Sequence, residues 1–165
     1  VKYLKNNNLE EAERLFKKAI DDSPNYGLPY KYLGDIKNIN RDLVQAVKYW
    51  EKFMKLSPIE GHKVFDSIET ALFDSGRYSE VENFYRKVLN ENPFDVNAGL
   101  RLANVLNEKG ENKSAIALID QFIEQETSSI SVMLMKLKLS LSTQTPAELS
   151  FFLDDILTKV KDEKK

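Results

Sequence analysis

Apolar residues recur at helical spacing along most of the chain, in stripes separated by short polar or proline-bearing breaks. Leu9, Ala12, Leu15, Phe16, Ala19 and Ile20 fall on one face of a helix over residues 9–22, with Glu10–Arg14 and Glu13–Lys17 as i,i+4 pairs on its wet side. Ser23-Pro24-Asn25 ends it. Helices are expected next over 28–38 and 42–55, then from near Glu60 with Phe65, Ile68 and Leu72 inward. Ser79-x2-Glu82 reads as a capping box for a helix to Asn90 that buries Val81, Phe84, Tyr85, Val88 and Leu89. A further pair carries Leu102, Ala103 and Leu106, then Ala115, Ile116, Ile119, Phe122 and Ile123. Between Val132 and Leu141 the leucines at 137, 139 and 141 alternate as a strand would, but a strand would lack a partner here, so helix is expected. Thr145-Pro146-Ala147-Glu148 opens a last helix with Leu149, Phe152, Leu153, Ile156, Leu157 and Val160 inward; Lys161–Lys165 should fray.

The stripes repeat with one period. Pro24, Pro58 and Pro93 are 34 and 35 residues apart. Ala12, Ala46, Val81 and Ala115 follow at steps of 34, 35 and 34, and Gly76 and Gly110 are again 34 apart. The stretch Tyr30-x2-Leu33-Gly34, Leu43-x2-Ala46-x3-Trp50 and Pro58 shows the unit most fully. Tyr30 and Leu33 share a face, Gly34 leaves room for a neighbouring helix backbone, Trp50 fills the space beside Ala46, and Pro58 cannot continue the helix.

This order of residues resembles the tetratricopeptide repeat, a helix-turn-helix unit of about 34 residues. The resemblance implies an all-α fold in which repeats stack into a right-handed superhelix, an α-solenoid, with no sheet. Residues 1–25 would be the C-terminal part of a truncated repeat, followed by repeats at 26–58, 59–93 and 94–127 and a divergent repeat or capping helices at 128–165, all in a single array. Lys37 stands where an aromatic is usual, Phe53 where a small residue is usual, Glu69 for glycine, Val81 for alanine and Thr127 for the closing proline. The chain opens on Val1 in what reads as the tail of a first helix, so a fragment of a longer array is expected. The face left by Leu9, Phe16 and Ile20 should then self-associate or let residues 1–22 fray.

Composition changes the picture chiefly by exclusion. Lys plus Arg (24) nearly balances Asp plus Glu (26), a net charge of −2, which disfavours a nucleic-acid partner. There is no cysteine, and no apolar run approaches the roughly 20 residues that span a bilayer. The one histidine, His62, reads as a solvated helix-start residue without companions for a metal. Asp154 and Asp155 are neighbours on a helix and diverge by about 100°. No phosphate loop or nucleophile setting occurs, so neither catalysis nor a cofactor is expected.

What remains is binding. In the family the first helices of successive repeats line a concave groove. The groove positions carried over are Lys31, Asp35 and Asn38; then Lys63, Asp66, Thr70 and Phe73; then Asn97, Leu100, Arg101, Asn104 and Asn107. The resemblance implies a protein or peptide partner of mixed charge, with the asparagines on its backbone. A chaperone-type carboxylate clamp is not expected. Lys31 and Arg101 match that pattern, but Asp35 and Ser67 replace asparagines and Asn97 a lysine. The run from Ala46 to Pro58, with Phe84-Tyr85-Arg86-Lys87 and Leu102-Ala103, is also similar to the cytoplasmic repeat region of bacterial lipopolysaccharide-assembly regulators. That similarity implies a cytoplasmic regulatory scaffold, with a membrane helix upstream and a four-cysteine module downstream. A repeat arm of an enzyme such as a glycosyltransferase is the third class, marked by a catalytic domain after Lys165.

Overall fold

An amphipathic stripe needs a second helix to cover it, and turns of a few residues return the chain at once. The computed structural model describes residues 8–124, 129–141 and 145–162. Among these are nine α-helices and no strand: α1 Leu9–Asp22, α2 Gly27–Ile39, α3 Leu43–Leu56, α4 Phe65–Asp74, α5 Ser79–Glu91, α6 Val96–Glu108, α7 Asn112–Glu124, α8 Ile130–Ser140 and α9 Pro146–Asp162. A 3₁₀ turn, Gly61–Val64, precedes α4. Asn8, Asp42, Asp95 and Ser129 cap their helices, each accepting a backbone N–H three residues on at 3.0–3.4 Å. The expected stub at residues 1–6, Thr127 and residues 163–165 lie outside the described residues.

The helices form two compact units that divide between Glu80 and Val81. In the first, α2 and α3 make the most extensive hairpin, α1 packs on α2, and α4 and the 3₁₀ turn pack on α3. Leu33, Ile36, Ala46, Trp50, Phe53, Phe65 and Ile68 are its core, each no more than 1% exposed. In the second, α7 lies between α6 and α8, α9 packs on α8, and α6 also touches α8. Tyr85, Ala98, Leu102, Ala103, Ala115, Ile119, Val132, Met133 and Leu139 are buried there.

Several local expectations change. A β-carbon on Gly34 would stand 2.4 Å from the Trp50 indole nitrogen, so the residue makes room for a side chain of its own hairpin and not for a helix backbone. The carboxylate of Glu82, expected to reach back over the start of α5, turns to Arg86 at 2.8 Å and Lys109 at 2.5 Å. Val88 and Leu89 are half-buried. The alternating leucines of 137–141 are helical: Leu139 is 1% exposed and Leu141 64%. Arg41, between α2 and α3, has φ of 61°, in the left-handed region that Gly76 (73°) and Gly110 (79°) occupy in the next two turns.

Candidate functional site

In the first unit the α2 positions are already engaged with the fold. The indole Nε1 of Trp50 donates to Asp35 Oδ1 at 3.0 Å, and Lys31 Nζ donates to Asp35 Oδ2 at 3.1 Å. A buried indole N–H needs an acceptor, and Asp35, on the facing helix of the same hairpin, supplies it. Lys31 also lies 5.2 Å from the Tyr32 ring centre. Asn38 is half-buried. Lys63 sits on the 3₁₀ turn and pairs with Glu60 at 2.7 Å. On α4, Asp66, Thr70 and Phe73 are exposed at i, i+4 and i+7, one stripe of the helix. Phe73 lies 5.4 Å from the Tyr78 ring across the Gly76 turn.

Lys37, which replaces the usual aromatic, donates to Glu13 at 2.9 Å and so ties α2 to α1. Lys17 reaches the same carboxylate at 2.7 Å. The bond from Lys17, and then that from Lys37, hold the Glu13 carboxyl below its ordinary range. In the second unit Lys109, and after it Arg86, do the same for Glu82, which joins α5 to the turn after α6.

In that second unit the structure gives the α6 positions a neighbour. Lys138 Nζ on α8 donates to Asn104 Oδ1 at 2.8 Å, across a sequence separation of 34. By the same 34-residue offset Leu134 is the counterpart of Leu100 and Leu141 that of Asn107. Leu134 is 50% exposed and Leu141 64%, while Leu100, Arg101, Asn104 and Asn107 are half-buried and Asn97 is exposed. Asn104 also donates to Glu108 at 3.1 Å. The α6–α8 face thus carries the bonded Asn104–Lys138 pair, with the exposed Leu134 before Lys138 in the chain and the exposed Leu141 after it. A shallow cavity of about 330 Å³ lies elsewhere in this unit, between the end of α5 and α7, lined by Leu89, Asn90, Pro93, Leu118, Gln121 and Phe122.

Residues 72–135 match the family described as tetratricopeptide repeat. Over those residues the chain carries the tetratricopeptide repeat. Its fold is that of MamA, at 17% identity and a TM-score of 0.63, covering 99% of this chain and 95% of that one. A MamA structure from Desulfovibrio magneticus RS-1 aligns at 15% identity and 0.61, covering 99% and 92%. YrrB, a repeat protein with an unusual peptide-binding site, aligns at 16% identity and 0.57, covering 94% and 80%. No curated protein sequence matches the chain. On the repeat bounds expected from the sequence, α2, α4, α6 and α8 would be first helices and α3, α5, α7 and α9 second helices. Among the described residues no helix is long and apolar enough to cross a membrane.

Sequence reasoning missed Leu134, Lys138 and Leu141. Leucine is common in α8 on every side, so no stripe marks an outer face. The signal that finds them is the repeat offset itself, because 104 plus 34 is 138 and 107 plus 34 is 141.

Proposed function

We propose that this chain is a non-catalytic scaffold that holds a segment of a partner protein along the first-helix faces of its repeats. The observation that carries the reading is the α6–α8 face of the second unit, where Asn104 and Lys138 are bonded and Leu134 and Leu141 are exposed. Leu134 and Leu141 offer contact area for apolar anchors of a ligand. Asn97, Asn104 and Asn107 can pair with its backbone, and Lys138 and Arg101 with its carboxylates. The segment therefore carries both apolar and acidic residues.

In the first unit the face is of mixed charge, with Lys63, Asp66, Thr70 and Phe73. Asp35 and Lys31 contribute less to recognition than their sequence positions suggest, since a ligand would compete with the Trp50 indole and with their own ion pair. The similarity of fold to YrrB, with its peptide-binding site, supports a peptide or protein ligand.

The test is capture of partners from a lysate of the source organism with wild type and with Leu134→Asp/Leu141→Asp. Val44→Asp/Ile59→Asp, at exposed apolar positions of the first unit, is the control. Loss of partners with the first pair and retention with the control is expected. Retention with the first pair would place binding elsewhere.

A further inference from the structure

The two units correspond at a uniform offset of 69 residues, which carries α1, α2 and α3 onto α5, α6 and α7 to within one residue at every end. Leu33 and Leu102, Ala46 and Ala115, and Phe53 and Phe122 are such pairs, buried in both units. The correspondence fails at one aromatic. Tyr30 of α2 reaches the turn after α1, where its hydroxyl donates to the Pro24 carbonyl at 3.1 Å. Its ring centre lies 6.5 Å from that of Tyr49 and 5.9 Å from the Lys52 ammonium, both on α3. The counterparts of these three neighbours are Pro93, Leu118 and Gln121, and all three line the cavity of about 330 Å³ between α5 and α7. The counterpart of Tyr30 itself is Gly99. The Phe122 ring lies over that glycine, where a β-carbon would collide with it, so α6 sends no side chain into the cavity from this position. The other first helices carry a large buried residue there, Phe65 on α4 and Met133 on α8.

We propose that the cavity takes a tyrosine side chain of a partner protein, set between Pro93 and Leu118 as Tyr30 is set between Pro24 and Tyr49. The ring packs on Leu89, Leu118 and Phe122, and its hydroxyl donates to the Pro93 carbonyl. The volume is at the small end of ligand cavities, which run from about 300 to 1,000 Å³, and suits a single ring. Asn90 and Gln121 are exposed at the rim, where their carboxamides can pair with the main chain on either side of the tyrosine. A free phenol would leave both amides unused. No cation is among the lining residues, since Gln121 stands where the first unit has Lys52, so a phosphate on the ring would be desolvated without a partner. The occupant is a separate segment from the one proposed for α6 and α8, and each stands or falls alone.

The probe is the tripeptide acetyl-Ala-Tyr-Ala-amide, titrated into the isotope-labelled 165-residue chain and followed by amide chemical shifts. Saturable shifts are expected at Leu89, Asn90 and residues 118–122. The same peptide with phenylalanine should bind about three- to tenfold more weakly, having lost one hydrogen bond, and with phosphotyrosine it should not bind. Leu118→Trp should abolish the shifts by filling the cavity, and Gln121→Trp, at an exposed position, replaces that variant should circular dichroism show it less helical than wild type. Leu134→Asp/Leu141→Asp should leave the titration unchanged. No saturable shift, equal binding of the phenylalanine peptide, or indifference to both tryptophan variants would overturn the proposal. Tightest binding by phosphotyrosine would make the site anionic and overturn it too. Saturation by p-cresol without binding of the tripeptide would give the cavity to a free phenol and overturn the partner tyrosine.

Discussion

At the residue scale the account rests on the Trp50–Asp35 pair. Trp50 is 1% exposed and fits over Gly34, which has no side chain to obstruct it. Trp50→Ala should cost about 3–5 kcal/mol in urea melts, combining lost burial with the cavity it leaves. Gly34→Ala should cost about 1–3 kcal/mol, because the added methyl forces the ring aside. A loss below about 1 kcal/mol for the tryptophan change would contradict the core described here. Arg41 offers the opposite sign. It occupies a left-handed position that glycine takes in the neighbouring turns, and its pair with Asp74 at 3.1 Å is exposed. Arg41→Gly should therefore stabilise by about 0.5–1 kcal/mol, the relief of strain outweighing a surface pair. Destabilisation in the same melts would show that the pair matters more than the backbone.

At the element scale, stripes and punctuation made the helices legible. Asp42, Pro58 and Thr145 mark ends because a side-chain cap or a missing N–H is a local property that any reader of the residues can see. What the residues did not disclose was how helices are tied to one another. Lys37 looked like a departure from pattern, yet its ammonium meets Glu13 from a helix 24 residues earlier. Such a contact depends on the register between elements, which no local pattern encodes. The tie also makes α1 sensitive to acid. Folding lowers the Glu13 carboxyl from its ordinary value of about 4.5, so its contribution is present above that pH and is lost as pH falls through the lower folded value. Protection factors of α1 amides, corrected for the intrinsic exchange rate at each pH, should fall below about pH 4.5, and Glu13→Gln should show the lower protection already at pH 7. Equal protection of α1 in wild type and Glu13→Gln at pH 7 would remove the tie from the account.

At the scale of the whole molecule, the period of 34 and 35 residues made the repeat architecture readable before any coordinates, because each unit must bury its stripe on its neighbours. The candidate site was readable only in part. Asn97, Asn104 and Asn107 stood out as polar residues on a first helix, while Leu134 and Leu141 hid in a helix rich in leucine on all sides. Asp35 read as a groove residue although its oxygens serve Trp50 and Lys31. A binding surface is not periodic in the way a core is, since only the partner dictates it. The most direct measurement of the central claim is hydrogen exchange of the second unit with and without a captured partner segment. The account predicts added protection in α6 and α8, at residues 97–107 and 131–141, and little change in α5 and α7. Protection confined to α5 and α7, with α6 and α8 unchanged, would contradict it.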